Sequence, residues 1–481
     1  MTRGGIAGAA LAAVFVLLAL VGGHRASEED LGSGAAAIVP STAAAIAPST
    51  GEAAQAHQGF LYGRITTVSG ATYEGRLRWG GDEEAFWGDY FNGFKAGNPW
   101  TAHVPPERLK ERRPLEIFGV EILRWERRID LARPFMARFG DILRIEPEGR
   151  ELRVTLKSGT VFHLDRFAAD DLADGLRVWD GRRGAVDLDE GRIRSLELLP
   201  TARLGAAPGR LHGTVRTRHG DFEGFVQWGR EECVGTDELE GHTADGELRL
   251  RFDLLRSIAR KSRDSSLVTL LDGREIVLSG TREVGHGNRG IYVDDRRYGR
   301  VLVSWDAFQR VDFSAGGSGP AYDDFPPGHP LEGSVVTRAG RRHTGRLVYD
   351  LDESETTETL DSTFQGVHYT IPFGLIASIV LPRGEKGGAQ RGRVALHGGE
   401  ELQLESTGDL GEGNAGMLIF AGGREPPEYV PWTDVRRVEL DRPPRTYPVL
   451  PSRPRPVEPT EAEDRDPRPL PLGRRSPLPK S

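Results

Sequence analysis

A single cysteine, Cys233, stands in 481 residues, so the chain can form no internal disulfide and no cysteine-based zinc site. The sequence holds no H-E-x-x-H, no G-x-S-x-G and no P-loop, which removes the usual signatures of zinc proteases, serine hydrolases and phosphate-cradling loops. A basic surplus is missing as well. The formal charge is −8 with both signs scattered along the chain, whereas a nucleic-acid binder needs a basic face that displaces counterions. Long apolar runs are limited to one, Ile6–Gly23, which follows Arg3 and precedes polar residues. Its length suits a cleaved signal peptide or a single anchor, and Val21 and Gly23 suit a peptidase site. Residues 1–23 are therefore expected to carry the chain out of the cytoplasm, into the periplasm or beyond. Residues 24–58, rich in Ala, Ser, Thr and Gly, read as a flexible tether.

What is present in quantity is glycine, 62 residues of it, and repetition. One hairpin pattern occurs three times: "LYGRITTVSGATYEGRLRW" from Leu61, "LHGTVRTRHGDFEGFVQW" from Leu211 and "LEGSVVTRAGRRHTGRLVY" from Leu331. Alternating apolar residues around a glycine turn predict paired strands. Each copy later reaches an i, i+3, i+6 apolar element: Phe139, Ile142, Ile145; Phe252, Leu255, Ile258; Phe373, Ile376, Ile379. That spacing predicts a one-turn 3-10 helix leading into a strand. A second kind of unit alternates with the first, opening "VTLKSG" at Val154, "VTLLDG" at Val268 and "VALHGG" at Val394. Periodicity on this scale organises the chain into an all-β body of six small units in three tandem pairs, at 59–200, 201–315 and 329–442, with a linker at 316–328.

The order strand, glycine turn, bent strand, strand, strand, one-turn helix, strand resembles the small SH3-like barrels, Sm-like ones in particular. The resemblance covers residues 60–442 and implies six small barrels; it supplies no activity, and the uridine-reading residues of Sm proteins have no counterpart here. The loops and hairpins are also similar to those of uncharacterised exported bacterial repeat proteins.

Three features are candidates for chemistry. Gly285, Gly287 and Gly290 in "EVGHGNRGIYV" have the G-x-G-x-x-G spacing of a dinucleotide loop. The flanking residues are strand-like on both sides, and "LESTGDLGEGNAGMLI" from Leu404 repeats the pattern with Asn414 matching Asn288. A tight β-connection is expected there, and no cofactor. Next, an acidic pair follows each hairpin: Asp82 and Glu83, Glu231 and Glu232, Asp352 and Glu353. Further acids stand at Asp89, Asp237 and Asp361. Several carboxylates in one loop can hold Ca²⁺, but the EF-hand pattern is absent, and turn carboxylates commonly cap backbone N–H groups; no metal is expected. Last, the first pair carries an insertion, 94–134, rich in Arg, Lys and aromatics. With Trp87, Tyr90 and Phe91 upstream, its Trp100 and Trp125 form a candidate contact surface for a protein or glycan; the alternative is an extra strand or two whose aromatics pack on the barrel.

The segment 443–481 holds 12 of the 31 prolines and is predicted to be extended and disordered. These observations suggest a non-catalytic exported binding or scaffold protein of the bacterial cell envelope, contacting a protein or glycan through its first pair. A structural spacer without a discrete ligand is the alternative, and a carboxylate-dependent glycan hydrolase a third reading.

Overall fold

The computed structural model describes residues 58–444 apart from 81–82, 107–109, 118–119, 129–132, 169–174, 203, 205–207, 317–318, 383–390 and 423–425; of strands Lys110–Ile117 and Val120–Arg128 only the backbone is described. The proposed leader, the tether and most of the proline-rich segment lie outside these residues. Every regular element among the described residues is a β-strand or a one-turn 3-10 helix. None is a helix long and apolar enough to cross a membrane.

Each repeated hairpin forms as its alternation requires. In Tyr62–Thr67, residues Gly63, Ile65 and Thr67 turn inward while Arg64 faces solvent. The repeated glycines are cross-strand partners: Gly63 faces Gly75, Gly213 faces Gly224 and Gly333 faces Gly345. Space decides these positions. A Cβ on Gly75 would lie 1.9 Å from the Trp179 carbonyl oxygen, and one on Gly224 2.0 Å from that of Asp294. Across the hairpin, a Cβ on Gly63 would lie 2.5 Å from the Glu197 carbonyl oxygen, and one on Gly213 2.5 Å from that of Asp312. Both crowding strands belong to the other unit of the pair. The hairpin is therefore gripped from two sides by its neighbour.

The second pair shows the resulting topology. Its first unit supplies strands 1 to 5 as His212–Thr217, Gly220–Gln227, Glu238–Thr243, Gly246–Arg251 and Leu255–Arg260. The second unit supplies Ser265–Leu270, Glu275–Ser279, Ile291–Asp295, Gly299–Val303 and Phe308–Phe313. Across the sheet the order is strands 4 and 3 of the first unit, 2 and 1 of the second, then 5 of the first. Beyond the midline come 5 of the second, 1 and 2 of the first, then 3 and 4 of the second. Exchanging the units reverses the order onto itself, so the pair has an internal pseudo-twofold axis between Leu255–Arg260 and Phe308–Phe313. The other two pairs repeat the central part of this order. Register irregularities recur at Thr66/Thr67, Arg216/Thr217 and Val336/Thr337.

The expectation of six separate closed barrels is corrected here. Among the described residues the sheets have 8, 12 and 8 strands, with two two-stranded ribbons, Tyr90–Phe94 with Pro134–Arg138 and Lys110–Ile117 with Val120–Arg128; all pairings are antiparallel, and none closes on itself. The cause is local. In the first pair strand Ile142–Glu148 runs into strand Glu151–Leu156 through a tight turn with Gly149 at φ +64°, and the corresponding strands are antiparallel neighbours in all three pairs. A turn this short makes the two strands antiparallel neighbours, so the units cannot separate into independent barrels.

The expected 3-10 turns stand at Phe139–Asp141, Phe252–Leu254 and Phe373–Leu375. Strand Gly299–Val303 of the second pair also pairs with Val367–Pro372 of the third, which joins those pairs in the 12-stranded sheet and in one hydrophobic core. The first pair has its own core, completed by Phe225, Tyr322 and Phe325 from further along the chain.

Candidate functional site

In the second and third pairs two long connections cross from one half to the other, between strands 2 and 3 of each unit. The first unit's connection carries the acidic pair. The second unit's connection, in the second and third pairs, is the glycine loop. The sheet order brings the two crossovers together at the centre of the pair, where they bind each other. Trp228 donates through Nε1 to the Glu283 carbonyl oxygen at 3.0 Å, and the Asn288 side-chain amide donates to the same oxygen at 3.0 Å. Asn288 Oδ1 then accepts from Gly290 N at 2.8 Å. The third pair copies the motif: Tyr349 donates to the Asp409 carbonyl oxygen at 2.9 Å, as does Asn414, which accepts from Gly416 N. Gly290 and Gly416 sit at φ +109° and +100°, which glycine adopts without penalty. A pyrophosphate loop opens a helix whose N-terminal amides receive the phosphates. This loop instead enters strand Ile291–Asp295, and its polar groups are engaged in the clasp.

The acidic pairs divide their labour. The backbones of Glu83, Glu232 and Glu353 close bridges to Trp79, Trp228 and Tyr349. The first acid of each pair, where described, meets cations: Glu231 binds Arg282 and Arg289, and Asp352 binds Lys95. The second acid turns inward, and Glu232 and Glu353 each bury an oxygen that has no hydrogen-bond partner. Burial, with the Glu283 carboxylate beside it, raises Glu232 to about 8. Burial raises Glu353 well above the carboxylate range, helped by Asp409 and Asp352. Asp82 lies outside the described residues.

Asp89 and Asp237 are capping groups. Asp89 accepts backbone N–H bonds from Glu84 and Ala85, and Asp237 from Cys233 and Val234. In the third pair this role falls to Glu358, which caps Ser354 and Glu355; Asp361, aligned with them by sequence, instead accepts from Thr370 at 2.7 Å. Among the described residues no three carboxylates, histidines or cysteines converge as metal ligands do.

The aromatic surface expected on the first pair is turned inward. Trp87, Tyr90 and Phe91 are 3%, 2% and 0% exposed, and Trp87 stacks near Phe325 at 5.8 Å between ring centroids. Trp100 is half-buried and meets Phe420 of the third pair edge-on at 6.1 Å. For Trp125 only the backbone is described, in strand Val120–Arg128. Trp87 and Trp100 thus meet other parts of the same molecule, Phe325 and Phe420. Around Tyr90, the guanidinium of Arg300 lies 5.3 Å from its ring and 3.6 Å from that of Tyr292. Next to them Asp294 is buried, which raises its carboxyl to about 7 against the opposing pull of Arg300 and Arg210.

The insertion joins the first pair to the third through a charged seam. Lys95 Nζ lies 2.7 Å from Asp352 and 3.0 Å from Glu358, and Arg133 lies 3.2 Å from Asp350. The Asn98 side chain donates to the Leu351 carbonyl oxygen at 2.8 Å. Burial alone would lower the Lys95 ammonium, but Glu358 and Asp352 outweigh it and raise it. Burial raises Asp350 to about 6, opposed by Arg133. Partners more than 200 positions apart leave no local signal; the only hint was a lysine in an insertion that the other pairs lack.

Cavities lined by described residues include one of about 310 Å³ beside Arg78 and Arg177 and one of about 420 Å³ beside Arg251 and Leu271. None of the raised carboxyls Glu232, Asp294, Asp350, Glu353 and Asp409 lines either one. Comparison with family models, with curated proteins and with solved structures gives no match to this chain.

Proposed function

We propose that the chain is a non-catalytic scaffold of the bacterial cell envelope: an exported β body that holds contact surfaces at fixed spacing. The observation that carries this reading is the Lys95–Asp352–Glu358 seam with Trp100 on Phe420, which engages these two residues of the insertion with the molecule's own third pair. A protein built for inter-pair movement would gain nothing from ions buried between pairs, where their desolvation is costly unless they stay paired. The hydrolase reading is less favoured, because Glu232, Asp350, Glu353 and Asp409 are packed in crossover loops, Asp294 is buried in strand Ile291–Asp295, and none of them lines either cavity.

The finer fold assignment is part of the same proposal. Each half of a pair reads 5-1-2-3-4 when strands 1 and 2 come from one unit and strands 3, 4 and 5 from the other. We take that half as an SH3-like or Sm-like unit assembled by strand exchange.

The test is to immobilise the full chain, challenge it with envelope extract, and assay it in parallel on peptidoglycan and soluble glycans. A scaffold retains a defined envelope component and turns over none of the glycans. Glycan hydrolysis that is abolished by a single carboxylate substitution would overturn the reading.

A further inference from the structure

The insertion contains a β-ribbon that joins no other strand among the described residues: Lys110–Ile117 pairs with Val120–Arg128 alone. The chain on either side of it is anchored to the third pair. Before it, Val104 is buried with Leu351 and Leu418; after it, Arg133 lies 3.2 Å from Asp350. A two-stranded ribbon by itself is at best marginally stable in water and needs an apolar face that something covers.

The register sorts the ribbon's residues between its two faces, because successive strand positions alternate. One face takes Lys110 with Arg128, Arg112 with Glu126, Pro114 with Arg124 and Glu116 with Glu121. Every residue in those rows except Pro114 is charged. The other face takes Glu111 with Arg127, Arg113 with Trp125, Leu115 with Leu123 and Ile117 with Val120. The irregularity between Leu115 and Glu116 drops Ile122 from the pairing and leaves the sorting of the rows intact. The first face is therefore polar from end to end. The second is charged near the body and apolar toward the turn, with Arg113 and Trp125 in one row at the border.

Size and charge select what covers the apolar face. Its apolar rows run from 113 to 117, roughly 13 Å at ~3.3 Å per residue, across two strands ~4.8 Å apart. A stable protein partner or second copy needs about 800 Å² on each side, several times what this strip offers. At a lipid surface the small apolar area is supplemented by attraction between basic residues and anionic headgroups, and the two contributions add. Residues 110–128 hold six basic residues, at 110, 112, 113, 124, 127 and 128, against four glutamates, in a chain whose formal charge is −8. All six stand in the five rows nearest the body. The row of two acids, Glu116 with Glu121, falls on the polar face. A tryptophan between apolar and basic rows matches the interfacial position that this residue favours.

We propose that residues 110–128 form a membrane-contact element, whose face bearing Leu115, Ile117, Val120, Leu123 and Trp125 lies on an anionic bilayer with Arg113 and Arg127 at the level of the lipid phosphates. The polar face stays in water. This adds a contact surface to the envelope scaffold proposed above and rests on that reading only for a membrane within reach.

The test attaches the fluorophore NBD to single cysteines in the full chain with Cys233→Ala. The sites are Leu115→Cys and Leu123→Cys on one face, Glu116→Cys and Glu121→Cys on the other, and Val68→Cys on the body, where Val68 is 65% exposed. Each is mixed with vesicles of equal phosphatidylglycerol and phosphatidylcholine, carrying brominated or plain acyl chains. The labels at 115 and 123 are expected to lose at least half their emission to the bromines, and those at 116, 121 and 68 less than a fifth. On phosphatidylcholine alone, or in R113E/R127E, the loss at 123 should fall at least threefold. No loss at 115 and 123, equal loss on both faces or at Val68, or a loss unchanged by removing the anionic lipid or the two arginines overturns the inference. Labels at 115 and 123 that are already shielded without vesicles, and more so at higher protein concentration, overturn it in favour of a second copy. None of these outcomes bears on the distance between the pairs, which tests the scaffold itself.

Discussion

Lys95 Nζ lies 2.7 Å from Asp352 Oδ1, with 257 positions of chain between them and both side chains less than a tenth exposed. A buried ion pair is expensive to break, because removing one partner strands the other. Lys95→Met should therefore destabilise the body by about 3–5 kcal/mol in urea unfolding. The deficit should be larger at pH 8 than at pH 5, since burial already raises the Asp352 carboxyl and it can take up a proton once the ammonium is gone. Equal deficits at both pH values would show that Asp352 is solvated.

Glu232 provides the complementary pH experiment. Its folded pKa, about 8, lies above the ordinary glutamate value, so the folded state holds the proton more tightly than the unfolded chain. Its effect on stability is favourable at low pH and is lost as pH rises toward 8. Glu232→Gln should match the parent at pH 5 and exceed it at pH 8, by on the order of 1–3 kcal/mol after allowing for partial exposure. A variant that is less stable than the parent at pH 8 contradicts this placement.

The paired glycines predict a sharp contrast. Gly224→Ala drives a methyl to 2.0 Å from a backbone oxygen of the neighbouring unit and should cost about 3 kcal/mol or more. Gly70→Ala, at φ +85° in open space, should cost only about 1 kcal/mol. Thermal melts of the two variants decide it; similar losses would mean that the strands do not press on the hairpin.

The clasp predicts a third stability effect. Asn288→Ala removes a donor to the Glu283 carbonyl and an acceptor from Gly290, and should lower stability by about 1–3 kcal/mol. Calorimetry of the parent chain with NAD should show no heat. Saturable heat that disappears in Asn288→Ala would revive the dinucleotide reading of this loop.

The repeat, the glycine hairpins and the one-turn helices were legible because each is local: alternation, a turn residue, or a three-residue spacing reports its own geometry. The exchange of strands was also written in the sequence but is easy to misread. "EPEGRELRV" at Glu146–Val154 is a hairpin turn between two units, and a hairpin cannot also be the linker between two barrels. The strings "EEAFWGDYF" and Trp100 announced aromatic contacts correctly, but composition does not say whether the surface they meet belongs to another molecule or to the same one. Tyr322 and Phe325 were hidden by their neighbours, because a glycine- and proline-rich stretch gives no sign that two of its rings are anchored in another pair. Asp361 and Glu358 show the limit of alignment by eye: in the third pair the capping acid moved three positions and changed type.

A scaffold requires that the first and third pairs hold a fixed distance from each other. Pulsed electron resonance between spin labels at Val161→Cys on the first pair and Glu401→Cys on the third, in a Cys233→Ala background, tests this directly. A rigid scaffold gives one narrow distance distribution that broadens when Lys95 and Arg133 are both replaced by alanine. A broad distribution in the background protein, unaffected by those replacements, would contradict the scaffold account.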